Sequence, residues 1–212
     1  NFSFLRSGSH PEEFVEQAKA LGLAAIGVAD RNTLAGVVRA HVKAKEEGLR
    51  LAVGARLVFR DGTPDLIVYP KDRAAFANLT RLLTTGNLRA PKGECWLDFA
   101  DFLAEANGLR CILVAPDDAH IPLPLRGGGW GRGEPPHSQN CQRADAQTGA
   151  RPDSPRPPTP SLRGEGEPRS LVAYLLAIRA ACGQVWLAAP FRFDGEDRRR
   201  LRVLKQLAAD TG

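Results

Sequence analysis

The amino-acid sequence predicts an α/β fold in which buried strands alternate with helices. Two observations carry this. The stretch from Leu23 to Val38, LAAIGVADRNTLAGVV, runs from an apolar segment (Ala24 to Ala29) through Asp30 and a polar link into an amphipathic helix. Such a segment between turn signals reads as a fully buried strand of a parallel sheet. The alternation then recurs, with apolar runs at 51–59, 66–69, 111–115 and 185–189 set between helical patterns. Mainly parallel pairing is the expectation. In strand–helix units chemistry collects where strands end, and Asp30 ends the first run.

Taken in order, Ser9-His10-Pro11-Glu12-Glu13 has the marks of a helix start. Ser9 caps with Glu12, Pro11 suits the first helical position, and two carboxylates complement the dipole. Phe14, Val15, Ala18 and Leu21 form the buried stripe, and Gly22 supplies the left-handed stop. His10 reads as a loop histidine at a helix start rather than a metal ligand, since no paired ligand lies nearby in the sequence. After the strand at 24–29, Thr33 caps a helix to about Glu47. Its stripe of Leu34, Val37, Val38, His41, Val42 and Lys45 makes His41 a packed core histidine. Strands at 51–59 and 66–69 follow, separated by the Asp61-Gly62 turn. A helix covers 71–83, a polar loop 84–94, a short helix 96–106 and a strand 111–115. Further on, Ser170 caps a helix with Leu171, Tyr174, Leu175 and Ile178 inward, followed by a strand at 185–189 and a helix at 195–209.

Composition narrows the class. Of 212 residues, 43% are hydrophobic and 25% charged, as in a globular protein. No apolar run reaches the roughly 20 residues that span a bilayer, and no signal peptide opens the chain, so no membrane partner is expected. The chain starts at Asn1 and contains no Met, which reads as processing or a fragment. The net charge of +5 comes largely from arginines in the middle and from Arg198-Arg199-Arg200, and reads as a solvated surface. Cys95, Cys111, Cys141 and Cys182 lie far apart without CxxC spacing, so reduced cytosolic thiols are expected and a disulfide framework is not.

Residues 117–169 differ in character. Ten of the 16 prolines fall between Ile121 and Ser170, and aliphatic periodicity fades. Such a composition buries too little apolar surface to offset its ordering entropy, and predicts a disordered insertion. The domain boundaries are therefore 1–116, 117–169 and 170–212. Pro122-Leu-Pro-Leu-Arg-Gly-Gly-Gly-Trp-Gly-Arg-Gly133 is answered by Pro157-Pro-Thr-Pro-Ser-Leu-Arg-Gly-Glu-Gly166. Proline codons are CC-rich and glycine codons GG-rich, so the two arms suggest a translated inverted repeat. No strand precedes the glycine-rich arm and no GK[ST] follows it, so it is not a phosphate loop.

Residues 1–57, NFSFLRSGSHPEEFVEQAKALGLAAIGVADRNTLAGVVRAHVKAKEEGLRLAVGARL, resemble the N-terminal region of bacterial error-prone DNA polymerase III alpha subunits. That region is a PHP (polymerase and histidinol phosphatase) domain. TRLLTTGNLRAPKGECWLDFADF continues the likeness, and 171–212 is compatible with the later part of the domain. The resemblance implies a distorted (β/α)7 barrel, incomplete at both ends here. Active members hold about three metal ions at the strand ends on His, Asp and Glu ligands, where the metals generate hydroxide for phosphoester hydrolysis.

Carried over by position, that ligand set is degenerate. The first His-x-His motif belongs at or before Asn1. The Thr-Asp-His motif is Ala29-Asp30-Arg31, Gly-x-Glu is Gly54-Ala55-Arg56, and the histidine opening the third strand is Asp65. The final Asp-x-His motif would follow Gly212. Arginine offers no lone pair and repels cations. Arg31 and Arg56 are therefore expected to pair with Asp30 and Asp65 in place of metal. No catalytic residue and no cofactor is assigned to this chain. The resemblance implies magnesium, DNA and the remainder of the subunit as partners of a complete cytoplasmic polymerase. Three readings stand: a structural PHP module of a translesion polymerase, a metal-dependent phosphoesterase or proofreading exonuclease, and a nonfunctional remnant. A remnant or isolated fragment with missing barrel strands would expose sheet edges and dissolve poorly.

Overall fold

Five strands pair in chain order in this computed structural model, which describes residues 8–116 and 170–211. They are β1 (Ala25–Arg31), β2 (Arg50–Leu57), β3 (Leu66–Pro70), β4 (Leu109–Val114) and β5 (Val185–Ala188). Six helices accompany them among the described residues: α1 (Pro11–Ala20), α2 (Val37–Glu46), α3 (Arg73–Arg89), α4 (Phe99–Glu105), α5 (Leu171–Cys182) and α6 (Asp197–Thr211). The α/β class is as predicted. The segment read as a disordered insertion with repeat arms, 117–169, lies outside the described residues.

The pairing departs from the mainly parallel expectation at one strand. β1–β2 and β4–β5 are parallel, whereas β3 is antiparallel to both of its neighbours. Residues 58–65, between β2 and β3, are too few for a parallel crossover, which needs a dozen or more. The chain instead reverses at Asp61-Gly62, where Gly62 takes φ 82°. The C-terminal ends of the other four strands therefore share one end of the sheet with the start of β3. Among the described residues the sheet is open, with β1 and β5 at its edges.

β1 is the second departure. It was expected to be fully buried, yet none of its residues is; it lies at an edge and is covered by α1 and α2 only in part. These helices meet through small side chains. Val15, Ala18, Ala40, Ala44 and Leu49 form a separate buried cluster with Ile26, Val28 and Leu51 against it. Of the predicted α1 stripe only Val15 and Ala18 are buried, and the predicted α2 stripe is out of phase. Phe14 and Leu21 are 47% and 65% exposed, Val38 and Val42 are exposed, and His41 faces solvent rather than the core. An alanine face lets the helix axes approach. Ion pairs Arg39–Glu12 (2.7 Å) and Lys43–Glu16 (2.8 Å) then bridge the two helices.

Helix starts shift by short distances. His10, not Ser9, is the N-cap of α1, and the Glu13 carboxylate accepts from its backbone N–H at 2.9 Å. Thr33 forms a local turn, its hydroxyl accepting from Ala35 N–H, and α2 begins only at Val37. α3 runs through the expected loop to Arg89 because Gly86 allows Leu97 and Cys95 to pack on its backbone, where a Cβ would collide with both. α5 is as expected: Ser170 accepts from Ala173 N–H, and Tyr174, Leu175 and Ile178 are buried. Gly183 ends the helix at φ 80°.

The main core joins β2, β3 and β4 to α3, α4 and α5. Leu57, Leu66, Val68, Leu79, Phe102 and Leu113 are fully buried. Phe99 stacks on Phe102 at 5.9 Å and meets the edge of Tyr174 at 5.1 Å, joining α4 to α5. Such aromatic pairs contribute about 0.5–1.5 kcal/mol beyond their area.

Candidate functional site

The end of the sheet that collects four strand C-termini and the start of β3 also collects Arg31, Arg56 and Asp65. Arg31 and Arg56 are register partners on β1 and β2. Neighbouring strands lie about 4.8 Å apart, so their side chains leave the same face side by side. Two guanidiniums placed so need an anion. Asp65 supplies it: its Oδ2 accepts from Arg56 Nε at 2.7 Å and lies 3.6 Å from an Arg31 terminal nitrogen. The Asp65 carbonyl also accepts from Val114 N–H at 2.9 Å, which ties the carboxylate's backbone to the end of β4. The three side chains are 32%, 38% and 21% exposed, so solvent weakens the attraction.

Of the two aspartates expected to face the arginines, Asp65 takes both of them. Side chains alternate along a strand, so Asp30 shares the face of its register partner Ala55, and Ala55 that of Val68, while Arg31 and Arg56 point the other way. Gly54 fills the first position of Gly54-Ala55-Arg56, and its bare Cα is required there. A Cβ would run into the Val68 carbonyl and the Tyr69 ring.

These four positions do not fit a metal cluster. Two are guanidiniums with no lone pair to donate, and the Asp65 oxygen that faces them is already engaged by both. Among the described residues no three His, Cys, Asp or Glu side chains gather closely enough to hold one ion. His10 caps α1 and His41 lies exposed on α2, so neither joins the strand ends.

Asn32 was missed as a structural clamp. It follows β1 at φ 47°, a left-handed conformation that asparagine tolerates better than most residues. Its Oδ1 accepts from Val58 N–H at 2.8 Å, and its Nδ2 donates to Val58 carbonyl at 3.0 Å and to Cys95 carbonyl at 3.4 Å. One amide thus holds the ends of β1 and β2 to the segment after α3. An asparagine directly after a strand was the available signal. Beside it opens a polar cleft of about 660 Å³, lined by Arg31, Asn32, Thr33, Asn87, Lys92 and Cys95.

The sequence pattern of the PHP domain matches residues 1–147, more than half of the chain, and the chain belongs to that family. Its curated relatives include the error-prone DNA polymerase of Rhodopseudomonas palustris strain BisA53, 42% identical over 99% of this chain and 18% of its own length. The error-prone DNA polymerase of Brucella abortus is 40% identical over the whole chain and 16% of its own length. That of Caulobacter vibrioides is 52% identical over 61% of this chain and 13% of its own. The chain spans less than a fifth of the length of these relatives.

Proposed function

We propose that this chain is the PHP portion of an error-prone, translesion DNA polymerase alpha subunit, acting as a scaffold with a degenerate metal site. The observation that supports it most directly is the shared Asp65. Arg31 and Arg56 bring fixed positive charge to the strand ends where active relatives of the fold would place cations, and Asp65 offsets part of that charge within the protein. Asp30, Arg31, Arg56 and Asp65 are then the remains of a ligand set, with no catalytic role assigned. The sheet would form part of a distorted (β/α)7 barrel, split into 1–116 and 170–212 by an insertion at 117–169. In the complete cytoplasmic polymerase, magnesium and DNA would be bound by other parts of the subunit, against which this domain packs. No helix of the described residues is long and apolar enough to cross a membrane.

A phosphoesterase or exonuclease needs donors at these same positions, and two arginines supply none. The test restores them. Arg31→His with Arg56→Glu in the complete polymerase should gain zinc or manganese binding if this is a former ligand set. Failure of the folded double variant to bind metal would remove the lost-site reading. Stoichiometric metal held by the unsubstituted domain would remove the scaffold reading.

A further inference from the structure

The two thiols that lie far apart in sequence, Cys111 and Cys182, meet in space with their sulfurs 3.3 Å apart. Cys111 is fully buried on β4, and Cys182 is the last residue of α5, half-buried. β4 and β5 are parallel with Cys111 opposite Val185, so the short α5–β5 turn carries Cys182 back over β4. Gly183 makes that turn by its positive φ. Cys95, the other described cysteine, bonds instead toward the Leu83 carbonyl, in a different part of the core.

We propose that Cys111 and Cys182 form an oxidisable pair, a disulfide site that peroxide closes to lock α5 onto β4. An S–S bond is about 2.05 Å long, so the sulfurs need to close by only roughly 1.3 Å. Cys182 is the nucleophile, being the more accessible of the two and within reach of an S–H donated by Cys111, which would favour its thiolate. The Cys182 thiolate attacks one oxygen of hydrogen peroxide, breaking the O–O bond and giving a sulfenic acid and hydroxide. The Cys111 sulfur then attacks the sulfenic sulfur and displaces its oxygen. Over both steps two thiols lose two protons and two electrons, and one peroxide becomes two waters. The bond closes a loop of 71 residues. Constraining the unfolded chain over that length raises Tm by about 9–18 °C for a protein of this size.

The full chain is treated with hydrogen peroxide, alkylated without reduction, digested and mapped by mass spectrometry. The expected result is a Cys111–Cys182 peptide pair, a loss of two titratable thiols reversed by dithiothreitol, and the higher Tm. Cys182→Ala should lose the bridge, and Cys95→Ala should keep it. The wild-type map decides the matter even if a variant fails to fold. Bridges only to Cys95 or Cys141, Cys182 oxidised further without a bridge, or an unchanged thiol count would each overturn the proposal.

Discussion

Asp65 is the carboxylate that Arg31 and Arg56 share at the strand ends. Removing it in Asp65→Ala leaves Arg31 and Arg56 as adjacent guanidiniums without their shared carboxylate. Because all three side chains are about one-fifth to two-fifths exposed, the cost is about 1–2 kcal/mol rather than that of a buried ion left alone. Urea unfolding should show that loss, and should show it shrink when Arg56→Met is added. An equal loss in both backgrounds would mean that Asp65 acts through its own backbone contacts. The four site positions were legible as residue types, since arginine in a ligand position is informative by chemistry alone. Asp65 was also legible as a partner, and it does face both arginines. That one of its oxygens serves both depends on strand register and on β3 running antiparallel, which residue types do not show.

At the scale of elements, existence was easier to read than phase. Each of the five strands and six helices was anticipated near its observed place. α1 nevertheless buries only Val15 and Ala18 of its predicted stripe, and α2 presents another face than predicted, because large residues and alanines compete on each helix. Large residues at Phe14, Leu21, Val38 and Val42 outweigh alanines in any reading of hydrophobicity, but only the alanine face permits close packing against a narrow edge strand. Ala44→Leu should therefore cost about 1–3 kcal/mol by overpacking. Val42→Ser, on the exposed face, should stay within about 0.5 kcal/mol. The reverse order in thermal unfolding would restore the predicted phase. α4 offers a pH test. Arg89 holds the Asp101 carboxyl below its ordinary 3.8 through paired hydrogen bonds at 2.7 and 2.9 Å. The folded state thus binds fewer protons than the unfolded chain as pH falls past 3.8. The contribution is full above that pH and is lost as acid carries the pH through the lowered folded value. Asp101→Asn should flatten the decline of stability below about pH 4; an unchanged slope would assign the acid sensitivity elsewhere.

For the whole molecule, the sheet and its helices make a frame whose strand ends meet in arginine–aspartate pairing and an asparagine clamp. The family and the α/β class were legible from a long collinear likeness. The single reversed strand was missed because the apolar runs look alike whichever way they point; only the short 58–65 connection carried that information. The proposed scaffold role rests on guanidiniums standing where donors would be needed. The most direct measurement is metal retention. The purified chain is incubated with zinc, manganese or ferrous ion, passed through a desalting column and measured by plasma mass spectrometry. The expected result is metal no higher than in a protein-free control. Stoichiometric metal that disappears in Asp30→Asn or Asp65→Asn would contradict it, and would return these strand ends to metal chemistry.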